Sequence, residues 1–340
     1  MAWQFKEPEP GDVIAGRYRV DQELGRGGFG IVLRAQHLDT QRPVAVKVLH
    51  STFARSEPTA VERFRREAVL SASLHYPNCV SMYDYGETEE GVFYIVMEYL
   101  VGAPLHSVVR KAGRLSAARS LHIARQMLCA LWEAHEKGIV HRDIKPENIM
   151  ITPLLYDQDF VKVMDFGIAK MAHGSGPQIT KAGQTYGTPQ YMAPEQLQGH
   201  QLEPSTDLYA VGLILYEMLV GRPAVETNNL AAAISEVIFG PPVELPDDID
   251  VPQGIRDLVK KACCKEPHLR YATAEEFVID LDAVVRESSG LDAEPVVAGF
   301  VPLEAAVDAP TMMLDAAPPV VLPAAETIAA PVVTVEPDVA

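Results

Sequence analysis

The chain has 340 residues, 48% of them hydrophobic, and a formal net charge of −17. That length exceeds the size at which a single core usually stops growing, so two lobes or a domain with a tail are expected. The acidic balance argues against a nucleic-acid binder and against a polybasic membrane-surface protein.

Residues 1–16 read as a polar leader with Pro8, Pro10 and Gly11, and lack the basic start and apolar centre of a signal peptide. From 17 to about 100 the pattern is mostly strand, with runs at 20–24, 30–37, 44–49, 80–85 and 92–99 and one helix over 60–73. From Leu105 onward helices dominate. Ser116 is suited to cap a helix over 117–137 that Gly138 stops. The stretch 208–219 is apolar on every face, which predicts a buried helix. Its apolar run is ended by Glu217 and is too short to span a bilayer. A last helix is expected over 275–287. The order predicts an α+β protein with a small β-rich lobe at about 17–100 and a larger helical lobe at about 101–287. Residues 288–340 hold eight acidic residues, no Lys or Arg, and dense Pro and Ala. Such a segment buries too little surface to offset the cost of ordering, so a disordered tail is expected. Its short apolar patches, such as Thr311-Met312-Met313-Leu314, could bind a signalling partner. Cys79, Cys129, Cys263 and Cys264 form no C-x-x-C pair, so reduced thiols, a cytoplasmic location and no membrane span are expected.

Four motifs carry chemistry. The first is Gly25-Arg26-Gly27-Gly28-Phe29-Gly30-Ile31-Val32. A dinucleotide fold would need a helix after it; two strand-like runs follow instead, favouring a flap whose backbone approaches phosphates closely. Taken alone it could equally be a plain glycine hairpin. The second is Val44-Ala45-Val46-Lys47, a Lys on a half-buried strand that needs an anionic partner. The third is His141-Arg142-Asp143-Ile144-Lys145-Pro146-Glu147-Asn148, which sets a carboxylate, a cation and an amide on one short loop. The fourth is Asp165-Phe166-Gly167, seventeen residues after Asn148, followed by Gly187-Thr188-Pro189-Gln190-Tyr191-Met192-Ala193-Pro194-Glu195. An isolated Asp-Phe-Gly would be a turn; its place in this series argues otherwise.

In this order the motifs resemble those of protein kinases over about residues 18–287, most closely bacterial serine/threonine kinases of the eukaryotic-like type. The resemblance implies a bilobal fold and a non-specific serine/threonine protein kinase that uses ATP with Mg²⁺, or Mn²⁺, and acts on protein substrates in signalling. By the same resemblance Asp143 is the base, Lys145 neutralises the moving phosphoryl group, and Asn148 and Asp165 hold the metal. The nucleotide site takes Leu24, Gly25, Gly27, Gly28, Gly30, Val32, Ala45, Lys47, Met97, Glu98, Leu100 and Met150, with Glu67 pairing Lys47. Arg142, Thr188, Glu195, Asp207 and Arg270 are supports. Arg142 also suggests control by a phosphorylated loop, with Thr180 and Thr185 as autophosphorylation sites. Pairing of two copies through the β-rich lobe is a further expectation of the resemblance.

The match weakens at 152–159, which is longer than usual, and at 221–226, which lacks the usual Pro-Phe. A pseudokinase would be expected to have lost Lys47, Asp143, Asn148 or Asp165, and none is lost. A small-molecule kinase of the aminoglycoside or choline type would lack the Ala193-Pro194-Glu195 segment.

Overall fold

The computed structural model describes residues 7–27, 30–49, 58–166, 189–227 and 229–289, with backbone alone at 58–60, 62, 63, 67 and 289. The segments expected to form the phosphorylated loop and the tail, including Thr180, Thr185, Thr188 and residues 290–340, lie outside the described residues, as does Gly28.

The first lobe is one antiparallel sheet of β1 (Val13–Ile14), β2 (Tyr18–Arg26), β3 (Gly30–His37), β4 (Pro43–Leu49), β5 (Met82–Glu87) and β6 (Phe93–Glu98), in the order β1-β2-β3-β4-β6-β5. Helix α1 (Pro58–Ala72) joins β4 to β5. Period-two burial sorts the side chains. Val44, Val46 and Val48 face a core with Tyr18, Val20, Ile31, Leu33, Ala35, Tyr94 and Val96. Leu49, two residues beyond Lys47, packs on the other face with Phe64 and Ala68 of α1 and with Ile95. Ala45 and Lys47 therefore share the α1 side of β4.

Strand β1 lies within the stretch 1–16 that reads as a polar leader. Val13 and Ile14 pair with Arg19 and Tyr18, and Ile14 is buried. Two residues are too few to display a period.

The second lobe holds α2 (Leu105–Ala112), α3 (Ala117–Glu136), α4 (Pro194–Gln198), α5 (Pro204–Val220), α6 (Leu230–Phe239), α7 (Gln253–Ala262) and α8 (Ala274–Ser289). A small sheet, β7 (Ala103–Pro104), β8 (Ile149–Ile151) and β9 (Val161–Val163), lies where the lobes meet. Ser116 caps α3 by accepting from the Arg119 amide at 3.3 Å, and Gly138 stops it at φ +70°. Helix α5 is buried from Ser205 to Leu219, as its apolar sequence requires. At 221–226 Val225 fills the apolar position, packing with Met192, Leu197, Ala233 and Val237. Among the described residues no helix is long and apolar enough to cross a membrane.

Candidate active site

The loop between α3 and β8 is held from below. The Asp207 carboxylate on α5 accepts from the His141 amide (2.7 Å), the Arg142 amide (2.8 Å) and His135 Nε2 (2.8 Å). Burial opposes ionisation of Asp207, but these bonds, that from His135 foremost, outweigh it, so its carboxyl lies below the usual range. This clamp offsets the strain of Arg142, a non-glycine residue at φ +66° whose carbonyl accepts from Gln196 at 2.7 Å. His141 is fully buried, and burial keeps it neutral. One proton arrangement fits its contacts. Nε2–H donates to the Met164 carbonyl (2.9 Å), and Nδ1 accepts from the Asp143 amide (3.3 Å).

On the loop's outer side Lys145 Nζ donates to Asp143 Oδ2 at 2.8 Å. Asn148 Nδ2 donates to the Asp143 carbonyl at 2.8 Å and lies 3.2 Å from Oδ2. That choice of amide orientation leaves Asn148 Oδ1 as an oxygen donor. The Met164 amide donates to the Asn148 carbonyl at 2.9 Å, which ties this loop to Asp165. Asp165 sits at φ +51° and takes Lys47 Nζ on Oδ1 at 2.8 Å. The Lys47 ammonium holds its carboxyl below the usual range, against the nearby Asp143. Phe166 is buried beside the His141 ring, with centroids 4.7 Å apart.

Lys47 was expected to pair with Glu67. The described partner of Lys47 is Asp165, and the Glu67 side chain on α1 lies outside the described residues. Asn148 Oδ1 and the Asp165 carboxylate are hard oxygen donors, which suits a hard divalent cation that also takes phosphate oxygens. Among the described residues no group of three or more His, Cys, Asp or Glu could hold a metal unaided.

Strand register sets several of the remaining residues side by side within each sheet. Val32 is opposite Lys47, Ala45 opposite Met97, and Pro104 opposite Met150. Leu24 is 43% exposed on β2. The Glu98 side chain turns away, accepting from Lys162 Nζ (2.6 Å) and the Ser81 amide (2.7 Å). Gly30 has a packing reason beyond phosphate access, because a Cβ there would collide with the Val48 carbonyl.

The Glu195 and Arg270 side chains form a buried two-pronged pair, NH1 to Oε1 and NH2 to Oε2, both 2.8 Å. Arg270 also donates to the carbonyls of Cys264 (2.6 Å) and Lys265 (2.8 Å), and Thr206 Oγ1 donates to Glu195 at 2.9 Å. Sequence reasoning missed Tyr191, which donates to buried Glu217 at 2.6 Å. The signal was Glu217 itself, the one carboxylate within the apolar run 208–219. It also missed His135 and Gln196, whose partners lie 72 and 54 residues away.

A β-rich lobe over a helical lobe, with Lys47, Asp143, Asn148 and Asp165 brought together by these bonds, defines a bilobal phosphotransferase fold. The chain belongs to the protein kinase domain family, whose model matches residues 18–279. It is 41% identical over 290 residues to the serine/threonine-protein kinase pkn3 of Myxococcus xanthus, covering 84% of this chain and 53% of that protein. It is 42% identical over 284 residues to the serine/threonine-protein kinase PknA of Mycobacterium tuberculosis, covering 82% and 63%. The chain thus spans between half and two-thirds of the length of these curated relatives. The crystal structure of the Mycobacterium tuberculosis PknI kinase domain matches with a TM-score of 0.61 at 25% identity, covering 82% of this chain and all of that one.

Proposed function

We propose that this protein is a serine/threonine protein kinase that transfers the γ-phosphoryl group of ATP to protein hydroxyls. The observation that carries the reading is the Asp143–Lys145–Asn148 loop, tied through Met164 to the Lys47–Asp165 pair. In the proposed reaction the substrate hydroxyl oxygen bonds to the γ-phosphorus, and the bond from that phosphorus to the β,γ-bridging oxygen breaks. The hydroxyl proton passes to Asp143, and ADP leaves. Lys145, already on Asp143, is suited to neutralise the transferring group. Lys47 is suited to the α- and β-phosphates, and Val32, Ala45, Met97, Leu100 and Met150 to an adenine ring. Asn148 Oδ1 and Asp165 would hold magnesium, or manganese, which when bound neutralises the β- and γ-phosphate oxygens.

Control by phosphorylation at Thr180 and Thr185 is part of the proposal. Its support is the Arg142 guanidinium, whose buried Nε has no hydrogen-bond partner among the described residues. A cytoplasmic setting suits the four unpaired cysteines. Pairing of two copies through the β-rich lobe remains part of the resemblance-based proposal; Arg17 and Asp84 there already satisfy one another within one copy at 2.6 Å. The test is incubation of the full chain with labelled ATP and Mg²⁺, followed by phosphoamino-acid analysis and site mapping. Phosphothreonine or phosphoserine, with label at Thr180 or Thr185, is expected. Label on tyrosine alone would overturn the specificity, and unmodified Thr180 and Thr185 in active protein would overturn the control.

A further inference from the structure

Most Lys and Arg side chains among the described residues are held by carboxylate, amide or carbonyl oxygens. Examples are Lys260 with Glu244, Lys261 with Glu276, and Arg222 with Glu226. The end of α2 differs. Arg110 and Lys111 in its last turn, and Arg114 just beyond, are all exposed. None of the three has an ion pair or side-chain hydrogen bond among the described residues. On a chain of net charge −17 this is a local reversal of sign.

The patch is also rigidly placed. Gly113 ends α2 at φ +77°. A Cβ on Gly221, at the end of α5, would collide with the Gly113 carbonyl and meet the Arg114 Cβ at 3.5 Å. The Leu115 amide donates to the Met218 carbonyl at 2.7 Å. The turn carrying Arg114 is therefore pinned to one end of α5, while Asp207 near the other end holds the catalytic loop. At 1.5 Å per residue, the helix sets the two about 20 Å apart, a span that about six extended residues cover.

We propose that Arg110, Lys111 and Arg114 form a docking patch for an acidic segment of the protein substrate, lying some six or more residues from the phosphorylated hydroxyl. Three cations are few for a membrane or nucleic acid, whose dense negative charge a chain of net charge −17 repels more strongly than it does one short acidic segment. A peptide already anchored at the cleft needs only a weak second contact, because tethering raises its local concentration. Exposed pairs of this kind are individually weak, so the effect is about fivefold in KM at low salt, and it disappears as salt screens it.

The inference rests on the kinase reading, so the test has two arms. In the first, the full chain and an Arg110→Glu/Lys111→Glu/Arg114→Glu variant phosphorylate threonine peptides carrying a glutamate run, or a glutamine run, about eight residues to either side of the acceptor. Wild type is expected to favour a glutamate peptide about fivefold through KM, with parity at about 0.5 M salt. The variant should lose that preference yet match wild type on the glutamine peptides. In the second arm, fluorescence anisotropy reads binding of the same peptides, an RNA oligomer and anionic vesicles without any transfer. Equal handling of both peptide types by wild type, a preference retained by the variant, or tighter binding of RNA or vesicles than of the glutamate peptide overturns the patch. Absence of transfer to any peptide, with glutamate-specific binding intact, overturns the kinase reading and leaves the patch standing.

Discussion

Removing Arg270 tests the idea that the helical lobe is locked around one buried ion pair. Its side chain is 0% exposed and that of Glu195 only 6%. Arg270→Ala strands the Glu195 carboxylate and frees the carbonyls of Cys264 and Lys265. Breaking a buried pair from one side costs about 3–5 kcal/mol, which for a domain of this size lowers the melting temperature by about 10 °C. The pH dependence adds a sharper test. Burial raises the Glu195 pKa, but Arg270 outweighs it and holds the carboxyl below its usual value. In wild type the stability from Glu195 is therefore present above the unfolded pKa and lost as pH falls through the folded one. Without Arg270, burial prevails and the pKa rises above the unfolded value, so the variant recovers stability as pH falls through that raised value. The gap between wild type and variant, read by urea unfolding, should be widest near neutral pH and narrow towards pH about 4. A loss under about 1 kcal/mol, or a gap independent of pH, would refute the reasoning.

Three further changes probe other parts. The His141 and Arg142 amides each bond a different oxygen of Asp207, and Asp207→Asn turns one of those acceptors into a donor, so kcat should fall about 10²-fold with little change in the KM for ATP; an equal rise in KM would contradict this. Tyr191→Phe leaves Glu217 buried without its hydrogen bond, at about 1–3 kcal/mol. Because burial has already raised the Glu217 pKa, that loss should shrink in acid, as thermal scans at several pH values would reveal. Gly30→Ala forces a methyl against the Val48 carbonyl, so the β2–β3 hairpin must shift; a cost of about 1–3 kcal/mol and weaker nucleotide binding by calorimetry are expected.

What the sequence made legible was local. The catalytic loop is eight contiguous residues, the flap a glycine-marked hairpin, and α5 an apolar run whose burial needs no partner to be foreseen. What stayed hidden depends on the approach of distant segments. Nothing in the spacing of His135 links it to Asp207, and nothing around Tyr191 points to Glu217, because both pairings exist only once α5 lies beneath the loop. Gly30 was read as freedom to approach phosphate, yet its nearest obstacle is the neighbouring strand. The strand at Val13 and Ile14 was not legible because so short a strand is defined by its partner and not by its own pattern.

The most direct test of the account is transfer of the γ-phosphoryl group in a single turnover, with the full chain and its Asp143→Asn variant both saturated with Mg²⁺-ATP. The account predicts transfer to a protein hydroxyl by wild type, a fall of about 10²-fold or more in the variant, and equal nucleotide affinity for the two. A variant as fast as wild type, or a wild type that binds Mg²⁺-ATP and transfers nothing, would contradict it.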